Sequence, residues 1–128
     1  MPEIPGLTNR VFSITSTKEF NDLAVEIFHF QFKKNITYRE YVENLGLNLD
    51  KIDTPNQIPF IPISFFKNHT IITGTNNYDH IFTSSGTTGK NTSKHYIRDL
   101  SVYEQSFRDT FTIFFRDIKQ YVILALLP

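Results

Sequence analysis

Residues 84–89 combine the residue types that proteins use to bind phosphate. The sequence reads Ser-Ser-Gly-Thr-Thr-Gly, with Lys90 directly after it and Lys94 a little further on. Gly86 and Gly89 have no Cβ, so neighbouring backbone amides could turn toward a single anion. Hydroxyl donors come from Ser84, Ser85, Thr87 and Thr88. The two lysines would add positive charge, so we predict a phosphate-binding loop.

The spacing of the glycines separates this loop from the common nucleotide-binding patterns. Only Thr87 and Thr88 lie between Gly86 and Gly89, whereas a Walker loop has a longer spacer and a Lys-Ser/Thr pair directly after it. The pattern G-x-G-x-x-G is also not met. A kinase-like or nucleotide-hydrolysing domain is therefore disfavoured. Because Ser, Thr and Gly are common in turns, an ordinary hairpin loop is the alternative interpretation.

Composition limits the class of protein. The 128 residues make one domain or part of one, and 40% are hydrophobic, which is enough for a core. Lysine plus arginine equals aspartate plus glutamate at 13 each, so the chain lacks the basic excess typical of nucleic-acid binding. An anion would therefore be held by a local site. The absence of cysteine excludes disulfides and a cysteine nucleophile within these residues.

The sequence predicts neither a membrane span nor a metal site. The N-terminus lacks the apolar stretch of a signal peptide, and the longest apolar run, 122–127, is too short to cross a bilayer. We therefore expect a cytoplasmic protein. His29, His69 and His80 show no ligand spacing, so we assign no metal to this chain.

The first part of the chain is predicted to be helical. Ser16–Glu19 has the form of a capping box, and apolar residues then recur at helical spacing from Phe20. A second box, Thr37–Glu40, predicts a short helix that ends near Gly46. We expect a helical part over 1–50.

Residues 51–128 are predicted to form an α/β part. Prolines in segment 58–67 favour an extended crossing with Ile61, Ile63 and Phe65 packed inward. Short strands are expected at 70–73, 79–83 and 94–97, and Asp99 or Ser101 is expected to cap a third helix. His95 could contact a phosphate or an acyl group, although a surface strand histidine is the more common role.

The last helix carries a periodic aromatic stripe that ends in Ile118. Its members are Tyr103, Phe107, Phe111, Phe114 and Ile118. The stripe could line an acyl tunnel, but at this spacing it more often belongs to a core. Residues 121–128 resemble a buried strand of a parallel sheet, which needs neighbours. We therefore expect an N-terminal fragment of a longer protein, with possible self-association through the exposed strand edge.

The loop and its flanks resemble a known enzyme superfamily. The segments IPFIPISFFK and YDHIFTSSGTTGKNTSKHYI are similar to the adenylate-forming ligases, most closely to the acyl-protein synthetase (LuxE-like) branch and its phenylacetate–CoA ligase relatives. The resemblance implies that a carboxylic acid reacts with ATP to give acyl-AMP, and that a thiol or other acceptor takes the acyl group. It assigns the phosphates to residues 84–89, with Lys90 and Lys94 as further candidates and magnesium as the accompanying metal.

The chain also departs from the superfamily pattern. The usual Pro-Lys-Gly after the second glycine is missing, and the Ser-Lys-His ending follows the LuxE-like branch instead. The resemblance implies that the family's adenine contacts, magnesium-binding acid and late catalytic lysine would lie later than residue 128. We therefore expect these 128 residues to be a partial domain without activity of their own, and the catalytic residues stay unassigned. A non-catalytic module that binds an anion or a partner through a remnant loop is the alternative function.

Overall fold

The computed structural model describes residues 6–75, 77–84 and 92–125. It contains helices and a small antiparallel sheet, and its contacts divide the chain into two compact units, Met1–Arg98 and Asp99–Pro128. The helices are α1 (Leu7–Phe12), α2 (Thr17–Lys34), α3 (Ile36–Asn44), α4 (Phe65–Asn68) and α5 (Leu100–Phe115), and the strands are β1 (His80–Thr83) and β2 (Lys94–Ile97). Single turns of 3-10 helix lie at Leu49–Lys51, Pro55–Gln57 and Ile118–Gln120.

Helix α2 begins at the capping box that the sequence predicts. The Ser16 hydroxyl accepts a 3.2 Å hydrogen bond from the Glu19 amide, and the Glu19 carboxylate accepts one of 3.2 Å from the Ser16 amide. The helix buries Leu23 and Phe28. The preceding helix α1, which the sequence analysis did not predict, is tied to α2 by an ion pair between Arg10 and Glu26.

Asn35 forms the junction between α2 and α3. Its amide N–H donates to the Gln31 carbonyl at the end of α2, and its side chain accepts from the Tyr38 amide at the start of α3. The predicted cap at Thr37 is therefore wrong, because Asn35 takes that role two residues earlier. The Thr37 hydroxyl instead donates to the Thr70 carbonyl at 3.1 Å. Gly46 follows the end of α3 with φ of +65°, as the sequence predicts for a helix terminus.

The core of the first unit lies between α2, α3 and the segment that follows them. Phe28, Val42 and Ile52 are its buried members. Partly buried residues that pack against them are Phe32, Tyr38, Tyr41, Leu49 and Ile58. The rings of Phe28 and Tyr38 meet edge to face with centroids 6.2 Å apart, an arrangement that the aromatic quadrupoles favour.

The segment after the core is held to α3 by two tyrosine hydroxyls. Tyr38 donates to the Pro59 carbonyl at 2.6 Å, and Tyr41 donates to the Phe60 carbonyl at 3.1 Å. The chain then turns into α4, so the predicted extended conformation does not continue to residue 67. Ile63, which was expected to point inward, is 74% exposed in that turn.

Residues 70–73 do not form the predicted strand. Their backbone is bonded to the helices instead: the Thr70 carbonyl accepts from Thr37, and nearby Gly74 donates its amide to the Lys34 carbonyl at 3.0 Å. Gly74 has φ of +84°, which favours glycine. These contacts leave no ladder of hydrogen bonds for a strand at this position.

The sheet is a hairpin of β1 and β2. The strands are antiparallel, with His80 opposite Ile97 and Thr83 opposite Lys94. No parallel pair occurs in the ranges that the structure describes. Residues 121–125 belong to no strand and are exposed, so the predicted buried strand is not formed over those residues.

The second unit is built on α5. Asp99 caps it by accepting a 2.9 Å hydrogen bond from the Ser101 amide, so Asp99 and not Ser101 is the capping residue. The aromatic stripe is largely exposed, because Tyr103, Phe107 and Phe114 are all classed as exposed side chains. The interpretation of this stripe as core is therefore wrong for these residues. Within the described ranges, no helix has both the length and the apolar character needed to cross a bilayer.

Candidate functional site

The base of the β1–β2 hairpin frames the predicted phosphate loop. Beyond the Thr83–Lys94 pair, the Ser84 amide donates to the Ser93 carbonyl at 3.1 Å. The Ser93 amide donates in return to the Ser84 hydroxyl oxygen at 3.0 Å, and Ser93 is buried. The two ends of the candidate loop are thus held side by side by both backbone and side-chain bonds.

The structure describes two of the predicted phosphate-binding residues. Lys94 is paired with Thr83 at the hairpin base, Ser84 follows Thr83 along the chain, and both Ser84 and Lys94 are exposed. The predictions that fall outside the described residues are Ser85, Gly86, Thr87, Thr88, Gly89 and Lys90. Their roles stay predictions.

The alternation of the strands separates Lys94 from His95. Residues opposite each other in an antiparallel pair share a face, so His95 lies on the face of Phe82, and Lys94 lies on the other face with Thr83. The His95 ring stacks on Phe66 of α4, with centroids 4.5 Å apart and planes 21° apart. This contact fastens β2 to α4, a role that the sequence analysis missed.

A second feature of the first unit is an apolar groove with a volume of about 430 Å³. One wall is the face of α2 that carries Phe20, Ala24 and Ile27, and the other is segment 55–61. Ile71 closes one side, and Phe28 and Tyr38 of the core also line the groove. In the sequence, the helical spacing of the α2 residues predicts an apolar face but does not predict a groove beside it.

The three polar side chains that line the groove each take part in an internal hydrogen bond. The Gln31 side-chain oxygen accepts from the Thr73 hydroxyl, and the Asn35 side-chain oxygen accepts from the Tyr38 amide at 3.0 Å. Burial raises the pKa of the Tyr38 phenol to about 12, with a smaller contribution from nearby Tyr41. The phenol therefore stays neutral at physiological pH and keeps its bond to Pro59.

The described residues offer no ready-made metal centre. Across residues 6–75, 77–84 and 92–125, no group of three His, Asp or Glu side chains is placed to hold an ion. At the hairpin base the available groups are the hydroxyls of Ser84 and Thr83 and the ammonium of Lys94. These groups suit an anion better than a cation.

Two characterised ligases resemble the chain. It is 36% identical over 90 residues to the long-chain-fatty-acid–luciferin-component ligase of Aliivibrio fischeri, a match that covers 69% of this chain and 23% of that protein. The enzyme of the same name from Vibrio harveyi is 31% identical over 84 residues, covering 64% of this chain and 22% of that protein. The chain thus spans less than a quarter of either relative, and the likeness supports the LuxE-like resemblance. No protein-family model and no solved structure matches the chain.

Proposed function

We propose that this chain is part of an ATP-dependent acyl ligase, an acyl-protein synthetase that activates a carboxylic acid as acyl-AMP. The observation that carries the proposal is the similarity to two long-chain-fatty-acid ligases in a chain whose Ser/Thr/Gly segment is framed by a closed hairpin. From those relatives, a long-chain fatty acid is the proposed substrate. A thiol or other acceptor would then receive the acyl group.

In the proposed first step, a carboxylate oxygen attacks the α-phosphorus of ATP. The new P–O bond gives acyl-AMP, and the bond to the departing pyrophosphate breaks, leaving extra negative charge on the pyrophosphate. Fixed donors directed at that charge lower the barrier. In this chain, the predicted loop and the hairpin base would supply those donors.

Ser84 is suited to this task by its bonding. Its hydroxyl oxygen accepts the Ser93 amide proton, which fixes the oxygen in place while its own proton stays available for a phosphate oxygen. Lys94, across the hairpin from Thr83, adds positive charge at the same end of the sheet. We propose that both contact the phosphates together with residues 85–90.

Magnesium, when bound with ATP, neutralises phosphate charge in such reactions. The described residues at the hairpin base supply hydroxyls and an ammonium, whereas magnesium prefers carboxylate and other oxygen ligands. These residues do not fit the ion as direct protein ligands, so no magnesium ligand is assigned to this chain.

The test is acid-dependent ATP–pyrophosphate exchange by the natural full-length protein, with a panel of carboxylic acids. Gly86→Val, Thr87→Ala and Lys94→Ala are each expected to reduce exchange, by up to about a hundredfold for a lost transition-state donor. Lys67→Ala removes an exposed lysine of α4 and serves as the matched control, with exchange unchanged. A folded protein that neither exchanges pyrophosphate with any acid nor binds ATP would favour the non-catalytic module instead.

A further inference from the structure

We propose that the apolar groove between α2 and segment 55–61 binds the hydrocarbon tail of a long-chain carboxylic acid. The choice of that acid rests on the proposed ligase function. The inference adds to that function a binding position for the tail, in the first unit. The binding itself is measurable without ATP. The two ideas can therefore fail separately.

The size and shape of the groove fit a chain-like ligand. Its volume of about 430 Å³ lies within the range of small-molecule pockets, which begins at roughly 300 Å³. Phe20 of α2 and Phe60 of the opposite segment both line it and are both exposed, so ring surface is presented to an incoming ligand. Phe28, which also lines the groove, is almost fully buried and belongs to the packed core.

The bonding of the lining residues selects an alkyl chain over a peptide. None of the described lining side chains is charged. Gln31, Asn35 and Tyr38 already use lining polar atoms in internal hydrogen bonds. A peptide segment would bring backbone amides and carbonyls that need partners, and leaving them unpaired is costly. A methylene chain makes no such demand, and its carboxylate can remain outside the groove.

The exposed stripe on α5 is another apolar surface that could hold a tail. One phenylalanine from each surface allows the two to be compared. Phe20 in the groove and Phe107 on α5 are both helical phenylalanines, with 52% and 51% of their surfaces exposed. Phe20 belongs to a concave lining, whereas the ring of Phe107 packs against Tyr103 of the same helix. Concave sites bury far more of a small ligand than a convex helix face does.

The experiment is calorimetric titration of the 128-residue chain with octanoate, decanoate, dodecanoate and tetradecanoate below their micellar concentrations, alongside the matching alkanols. We expect affinity to rise about fourfold for each methylene that enters the groove. Acid and alkanol of equal length should bind similarly, because no lining charge recognises the carboxylate. Phe20→Ala should weaken binding about fivefold, and Phe107→Ala should leave it unchanged.

A variant that fills the groove tests whether the acid binds there and not elsewhere on the chain. Ala24→Phe places a ring into the groove from α2 and should abolish binding, whereas Ala125→Phe makes the same change at an exposed position of the second unit and should not. Circular dichroism confirms that each variant is folded. The proposal is overturned if the folded chain binds no acid, if affinity is independent of chain length, or if Phe107→Ala has the larger effect. Loss of pyrophosphate exchange with tail binding intact would contradict the ligase function alone.

Discussion

At the scale of single residues, Tyr38 links stability to pH. Its phenol donates to the Pro59 carbonyl at 2.6 Å, and burial raises its pKa to about 12. An unfolded tyrosine has a pKa of about 10, so the folded state holds the proton more tightly. The resulting stabilisation is complete below about pH 10 and is lost as the pH rises toward about 12.

We predict that Tyr38→Phe changes the alkaline stability of the protein. Near neutral pH the variant should lose about 1 kcal/mol in the free energy of unfolding, because the Pro59 carbonyl loses its donor. Between pH 10 and pH 12, roughly the interval set by the two pKa values, the wild type should lose more stability than the variant. Urea denaturation at a series of pH values measures both effects.

Tyr103→Phe is the control for this prediction. Tyr103 lies in the second unit on an exposed part of α5, so its substitution should leave the alkaline slope of the wild type intact. Parallel curves for wild type and Tyr38→Phe across the whole range would show that Tyr38 does not carry the linkage.

At the scale of elements, the caps fix where the helices begin. Asn35 caps two helices, because its backbone N–H ends α2 and its side-chain oxygen starts α3. Its side-chain nitrogen also donates to the Thr73 hydroxyl at 3.5 Å. Asn48 caps a single 3-10 turn through one 3.1 Å bond to the Asp50 amide. Asn35 is buried and Asn48 is exposed, so the same side chain is used in two different environments.

We predict that Asn35→Ala lowers the free energy of unfolding by about 2 kcal/mol and Asn48→Ala by about 0.5 kcal/mol, the two ends of the range for caps. The difference arises because Asn35→Ala removes the α3 cap and the contact to residues 70–73 together. Thermal or urea unfolding of the two variants gives the comparison. Equal losses would mean that the junction between α2 and α3 does not depend on this side chain.

The elements also show what local sequence can predict. The Ser16–Glu19 box was correct because both of its bonds lie within one turn of the chain. The same pattern at Thr37 failed because Asn35 caps α3 and the Thr37 hydroxyl bonds to Thr70, which is distant in sequence. Residues 70–73 failed as a strand for the same reason, since their partners belong to helices. Local patterns predict an element where its bonds are local.

For the candidate site, the sequence predicted the two strands but not the contacts between distant residues. The strand at 94–97 was correct and that at 79–83 was nearly so, and together they bring Ser84 and Lys94 to the same end of the sheet. The bond between Ser84 and Ser93 and the stacking of His95 on Phe66 depend on tertiary packing and were not foreseen. The groove was missed because periodic apolar residues indicate a packed face without revealing where the opposing surface leaves a gap.

At the scale of the whole molecule, the second unit leaves much apolar surface uncovered. Val122 and Leu124 are each 88% exposed, and several aromatic residues of α5 are exposed as well. The chain carries no net charge, so little electrostatic repulsion opposes association. Self-association through this region, expected from the sequence, stays a prediction.

We predict that the 128-residue chain forms oligomers at high concentration and that Val122→Lys with Leu124→Lys shifts it toward monomer, because two exposed apolar side chains become charged. Gln105→Lys with Thr110→Lys adds the same charge at exposed positions of α5 and should not. Sedimentation velocity across a concentration series measures the distribution. A wild type that stays monomeric throughout would refute the prediction.

The closed base of the hairpin has a consequence for protein engineering. The bonds of the frame, between Thr83 and Lys94 and between Ser84 and Ser93, are made by groups of these four residues. Lengthening a loop between fixed ends costs only about 0.6 kcal/mol for each doubling. The hairpin should therefore accept transplanted loops of other sequence and length, so that the specificity of the predicted anion site can be exchanged while the surrounding scaffold is kept.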